Sequence, residues 1–293
     1  MHLEKIISLA NQNSELRFLA MVRSLRAAGC NLPVWVIPYD EHKFNLPENC
    51  IWWEMPLITE WIKNNNLWPA FKKIQCLTEH NYQFVDSDII FLKNPESILK
   101  QFTGFVTCCT HWNNPNHTFT KETLAYLKEK TTIWQKLVFN SGQWACDEKL
   151  FEESEMINFC ERQFVDTLFT RNYLYKDQAG INILVNVKAS KITNITLPPY
   201  NVESSWAGDY TNNFKQYWVN EDTKPYLLHW AGCAMYTNRA VDCLFTKYLS
   251  EREKILWNDQ VQIEFTKQKK FLTRLFKGLR EIKNTVLSIS MDN

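Results

Sequence analysis

Glycine and proline are scarce, seven and ten among 293 residues, and they never gather into a flexible or proline-rich linker. Surplus charge of either sign is missing too. With 33 Lys and Arg against 32 Asp and Glu, the chain lacks the basic excess of a nucleic-acid binder, so no nucleic-acid partner is expected. No run of 18 apolar residues exists to form a transmembrane helix. Met1-His2-Leu3-Glu4-Lys5 runs into a strand-like segment without the basic region and long apolar stretch of a signal peptide. A cytoplasmic location is therefore expected, with the sequons at Asn116 and Asn194 as chance matches. The nine cysteines contain no CxxC pair and no zinc-like spacing, and their number is odd. They read as buried thiols, not as a disulfide framework or a structural zinc site.

What is abundant is apolar and aromatic: 45% hydrophobic residues, with 12 tryptophans. Several tryptophans stand in polar loops, such as His111-Trp112-Asn113-Asn114 and Glu203-Ser204-Ser205-Trp206. Exposed indole suits a flat, partly apolar partner such as a sugar ring, although core packing accounts for most such residues.

Lys5 to Ala10 predicts a buried strand, and Phe18, Met21, Val22 and Leu25 follow at the spacing of one helix face. Gly29 then ends the helix and Val34 to Pro38 supplies a second strand, completing a βαβ unit. Further strands are predicted at Ile51 to Met55, Gln83 to Asp86, Ile89 to Leu92, Phe105 to Cys109, Ile192 to Leu197 and Tyr226 to His229. Helical stretches fall around 57–64, 70–80, 119–136, 147–166 and 178–186. This alternation predicts an α/β fold, one mixed sheet flanked by helices, in a single domain over residues 1–248.

Residues 249–293 read as a helical tail. Seven Lys and Arg lie between Lys267 and Lys283, interleaved with Phe271, Leu272, Leu275, Phe276, Leu279 and Ile282 at helical spacing. Such a basic amphipathic helix either lies on an anionic membrane surface or docks its apolar side on the domain. Both remain open at this point.

The chemistry is carried by Asp86-Ser87-Asp88, at the end of one predicted strand and before another. Carboxylates crowded there repel each other unless a cation sits between them, and hard oxygen ligands suit Mg²⁺ or Mn²⁺. The C-terminal edge of an open α/β sheet is also where ligands bind. Taken alone, the pair could equally be a turn with two solvated aspartates. A likeness to the nucleophile motif of haloacid-dehalogenase phosphatases is shallow, since a complete βαβ unit precedes the motif here.

Three downstream segments join it. Phe139-Asn140-Ser141-Gly142, Asp177-Gln178-Ala179-Gly180-Ile181-Asn182 and His229-Trp230-Ala231-Gly232 occur in the order found in glycosyltransferase family 8, which includes glycogenin and bacterial galactosyltransferases. The chain thus resembles that family, or a neighbouring retaining family of the GT-A architecture. The resemblance implies a mostly parallel nucleotide-sugar transferase fold and a nucleoside-diphosphate sugar donor, with UDP favoured. It implies transfer to a carbohydrate, lipid-linked or protein acceptor.

The implied roles are as follows. Asp86, Asp88 and His229 hold the metal, and an imidazole beside two carboxylates favours Mn²⁺ over Mg²⁺. Asn140, Asp177 and Gln178 line the donor sugar, with Gln178 beneath the anomeric carbon. An amide there is a poor nucleophile, so a front-side displacement with retention is implied. Ser87, Ser141, Gly142 and Gly232 fall to the donor-binding surface as members of the matched segments. Lys73 resembles a family lysine before the aspartate strand, but can equally be a solvent-facing lysine. Ala10, Asn11 and Asp40 lie where such folds place base and ribose.

One departure stands out. The family's His-x-x-Gly continues to a lysine that binds the diphosphate, whereas the corresponding residue here is Met235. Arg239 or Lys72 would then have to supply the missing charge. The same gap leaves open a carbohydrate-binding protein without turnover.

Overall fold

The computed structural model describes residues 1–117, 121–130, 134–164, 176–210, 212, 214–216, 218–233, 239–267 and 269. Strand β1 (Lys5–Ala10) is buried along its whole length. Ile7 and Leu9 point into one apolar layer and Ile6 and Ala10 into the other, which is why the strand reads as an unbroken apolar run. After it, Asn11 Oδ1 accepts from Ser14 N at 3.2 Å and Ser14 Oγ accepts from Asn11 N at 2.9 Å. This reciprocal pair caps a 3₁₀ turn, Gln12–Ser14, which leads directly into helix α1 (Glu15–Ala27). Gly29, at φ +86°, closes the helix in a conformation that favours glycine.

Strands β2 (Val34–Pro38), β3 (Cys50–Trp52) and β4 (Tyr82–Asp86) lie parallel with β1 in the order β3-β2-β1-β4. Beyond β4 come β7 (Gln143–Cys146), β6 (Phe105–Thr107) and β8 (Ile192–Asn194); β7 runs antiparallel to both neighbours, and β8 is parallel to β6. The result is a seven-stranded, mostly parallel sheet covered on both faces, as expected. One apolar layer involves helix α2 (Pro56–Asn64) and the Lys176–Lys188 helix, and the other is built on α1.

Two expectations need correction. The segments around Ile89 and His229 are not in the main sheet. β5 (Ile89–Phe91) and β9 (Leu227–His229) form a separate antiparallel ribbon. The stretch predicted as a helix over 70–80 consists of 3₁₀ turns, Pro69–Thr78, opened by a proline that suits a helix start. β7 was not expected, and it sits in the middle of the sheet.

A third apolar cluster lies under the ribbon and receives the helix at 251–267. Trp257 is buried there, its ring 4.8 Å from that of Phe245. Arg23 of α1 forks onto Glu253 at 2.5 and 2.8 Å. The start of the tail therefore docks on the domain, while the basic residues from 270 onward lie outside the described residues. Among the described residues, no helix is long and apolar enough to cross a membrane. Asn194 is buried with its amide donating to Cys109 O at 2.6 Å, a position unsuited to a glycan.

Candidate active site

β4 delivers Asp86 to the C-terminal edge of the sheet, beside Leu9 of β1, and Asp86 N donates to Gly142 O at 2.8 Å. A turn through Ser87 and Asp88 leads into β5. The ribbon register then opposes Ile89 to His229, and Trp230 N donates to Asp88 O at 3.0 Å. Backbone pairing thus carries a histidine 141 positions downstream to the aspartate pair. His229 Nε2 stands 3.2 Å from Asp88 Oδ1 and 3.7 Å from Asp86 Oδ2. The candidate ligand atoms of the three residues lie within 4.8 Å of one another.

Gly142 makes this approach possible. A Cβ at that position would collide with Cε1 of His229 and stand 2.7 Å from Asn140 Oδ1 and 2.8 Å from Asp86 Oδ2. Any side chain there would push the imidazole off the carboxylates. Gly142 N donates to Asn140 Oδ1 at 2.8 Å, so the loop is held by its own asparagine.

Behind the carboxylates sits Lys73, buried and far from the solvent-facing alternative. Its Nζ is 3.0 Å from Asp86 Oδ1, 3.0 Å from Asp177 Oδ2 and 3.3 Å from Ser141 O. Burial disfavours its charge, but Asp177 and Asp86 outweigh that and hold the ammonium well above its usual pKa. Burial also pushes the Asp86 carboxyl up to about 6, against the pull of Lys73 and His229. For Asp88 burial works in the same direction, yet His229 and Arg17 outweigh it and bring the carboxyl down to about 2. Asp177 is likewise held below the usual range, with Lys73 and Ser141 overcoming burial.

The two other matched segments are stitched to each other. Ser141 Oγ donates to Asp177 Oδ2 at 2.9 Å, and Ser141 N to Gln178 Oε1 at 2.8 Å. Asn182 accepts from Phe139 N at 3.0 Å and donates to Phe139 O at 2.9 Å and Gln178 O at 2.8 Å. Asn182 is therefore a structural clamp that seats the Lys176–Lys188 helix against the loop before β7.

These residues open onto a cleft of about 870 Å³, lined by Lys73, Asp86, Asp88, Asn140, Ser141, Asp177, Gln178, His229 and Gly232 among others. A recess of about 360 Å³ adjoins it, bordered by Ala10, Asn11, Ser87, Tyr39 and Arg17, and shares Asp86 and Asp88 with the cleft. Asp40 borders neither; it accepts from Asn11 Nδ2 at 2.7 Å. Lys72 is a correction: its Nζ is engaged by Pro38 O at 2.9 Å and Glu54 Oε1 at 3.1 Å, away from the cleft. Arg239 also lies off the cleft lining, at the start of a turn where its N donates to Asp242 Oδ2 at 2.9 Å. Met235 lies outside the described residues.

Sequence reasoning missed Thr110, Asn114, Ser204 and Asp209 on the far wall of the cleft, and Arg17 in the recess. Of the two loop tryptophans, Trp206 lines the cleft with its Nε1 donating to Ala231 O at 2.9 Å. Trp112 instead donates to Thr196 Oγ1 at 3.0 Å and packs on a small apolar cluster.

The sequence matches no family model and no curated protein. Among solved structures the fold is similar to that of the apo WbbM bifunctional glycosyltransferase, at 13% identity and a TM-score of 0.52 over 88% of this chain and 51% of that one. The apo form of the glycosyltransferase GlyE from Streptococcus pneumoniae TIGR4 aligns at 12% identity and a TM-score of 0.48, over 92% of this chain and 64% of its own. This chain thus spans about half of the first protein and under two thirds of the second. At such identities the likeness is one of fold, and the fold is the α/β one expected from the sequence.

Proposed function

We propose that this chain is a metal-dependent hexosyltransferase of a family 8-like, retaining kind. It takes a sugar from a nucleoside-diphosphate donor, UDP by preference, to a hydroxyl on a carbohydrate, lipid-linked or protein acceptor. The observation that supports this most is the convergence of Asp86, Asp88 and His229 on the floor of a cleft whose wall carries Asn140, Asp177 and Gln178. Two carboxylates and an imidazole so close, with a glycine keeping the space beside them open, fit a divalent ion, and that donor set suits Mn²⁺. Bound there, the ion would neutralise the departing diphosphate as a Lewis acid.

The chain's own residues divide the remaining work. Lys73 favours the ionised forms of Asp86 and Asp177 and fixes their carboxylates. Asp177 and Asn140 offer oxygens that orient sugar hydroxyls, and orientation of the reacting groups removes much of the entropic barrier. Gln178 is an amide whose oxygen already accepts from Ser141 N, which supports a positioning role over covalent attack. Asn11, held by Asp40, suits the ribose in the adjoining recess. The phosphatase alternative finds no support in the fold likeness.

A thermal-shift panel of nucleotide sugars tests the reading, because a ligand that binds only the folded state raises the melting temperature. A rise is expected when Mn²⁺ and the right donor are present together. No response to any donor in the presence of Mn²⁺ would count against it. Transfer or hydrolysis of the responding donor then separates turnover from carbohydrate binding alone.

A further inference from the structure

The diphosphate of a nucleotide sugar carries two negative charges, which one divalent cation formally balances, and it gains a third as the sugar departs, so a further cation at the donor site would meet the charge that develops in the reaction. Among the described residues, few are suitably placed. Lys73 lies behind the carboxylates, already shared between Asp86, Asp177 and a carbonyl, and Lys72 faces elsewhere. Arg17 differs. It stands in the first turns of α1, borders the recess with Asn11 and Asp88, and helps to depress the Asp88 carboxyl. Among the described residues its ion-pair partner is Glu264, on the helix at 251–267, through a single contact of 3.4 Å from Nη2 to Oε1. Both side chains are partly exposed, 33% and 44%. A long, one-pronged, solvent-screened pair of this kind is weak, and a guanidinium prefers the two-pronged geometry that phosphate oxygens offer.

We infer that Arg17 is the second phosphate-binding group of the donor site, meeting the diphosphate where recess and cleft join, with Glu264 as its partner when no nucleotide is bound. This inference rests on the donor reading above. The site is thereby coupled to the tail, since ligand and Glu264 compete for one guanidinium.

Calorimetry with Mn²⁺ and UDP, GDP or CDP, whichever binds the full-length protein, tests the inference on Arg17→Met, Arg17→Lys and Glu264→Gln. Loss of a charge-assisted contact should weaken Arg17→Met by about tenfold to a hundredfold, with Arg17→Lys recovering part of the loss. Glu264→Gln breaks the same ion pair but leaves the guanidinium, so it should bind at least as tightly as the parent. Equal binding by Arg17→Met and the parent overturns the inference. Equal weakening of Arg17→Met and Glu264→Gln overturns it as well, because the effect would then come from a loosened helix. If the parent binds none of the three nucleotides with Mn²⁺, the donor reading itself fails.

Discussion

Lys73 shows how much one side chain can hold. Removing a partner from a buried ion pair leaves uncompensated charge and typically costs about 3–5 kcal/mol, and Lys73 faces both Asp86 and Asp177. Lys73→Met should therefore lower the unfolding free energy by several kcal/mol in urea titration, on the scale of that estimate. Gly142→Ala should act differently, leaving much of the core intact while displacing His229; Mn²⁺ affinity should fall by at least about tenfold. Asp86 adds a pH dependence. With its carboxyl raised to about 6, an incoming ion must displace a proton below that pH, and the apparent Mn²⁺ affinity should drop by about tenfold per unit. The metal-free protein should show the reverse trend at this group. A raised folded-state value means the folded chain binds the proton more tightly than the unfolded one, so Asp86 contributes stability as pH falls from 7 towards the ordinary 3.8. At this scale the sequence was informative about which residues meet at the cleft, Asp86, Asp88 and His229 with Asn140, Asp177 and Gln178, because each sits in a short segment of distinctive residue types. It placed Gly142 and Asn182 in matched segments without showing what they touch, and it was silent on Arg17, because these contacts are with neighbours distant in the chain.

Elements were legible where burial is two-sided and continuous. β1 and β2 match their expected limits, since an apolar run flanked by polar residues leaves no choice of register. β7 was missed because Gln143-Trp144-Ala145-Cys146 is short and follows a turn-like Asn-Ser-Gly. The β5–β9 ribbon was misassigned to the sheet because pairing partners leave no local trace. The tail raises a question of magnitude: the helix at 251–267 is held by a charged fork and by a tryptophan. Arg23 is 41% exposed, and a screened pair contributes at most about 1 kcal/mol. Burying Trp257 against Phe245 is the larger effect, and large-to-small changes of this type cost about 3–5 kcal/mol. Trp257→Ala should therefore increase proteolysis in 251–267 strongly, and Arg23→Ala only slightly. Equal sensitivity of the two variants would mean that the fork anchors the helix.

For the whole molecule, the topology explains why the site lies where it does. Parallel strands β1 and β4 bring Asn11 and Asp86 to one edge of the sheet, the ribbon swings His229 over that edge, and the Lys176–Lys188 helix closes the wall with Asp177 and Gln178. Thr110, Ser204 and Asp209, which also line the cleft, stand in or beside the tryptophan-bearing polar segments that the sequence marked, but their own residue types are too common to single them out. All of this geometry has a purpose only if a cation joins the triad and a nucleotide sugar joins the cation. Calorimetric titration of a UDP-sugar into the protein with Mn²⁺, with chelator, and into Asp88→Ala with Mn²⁺ examines that link directly. The expected result is binding in the first case and a loss of at least about tenfold in the other two. Tight binding that ignores both the chelator and the substitution would contradict it.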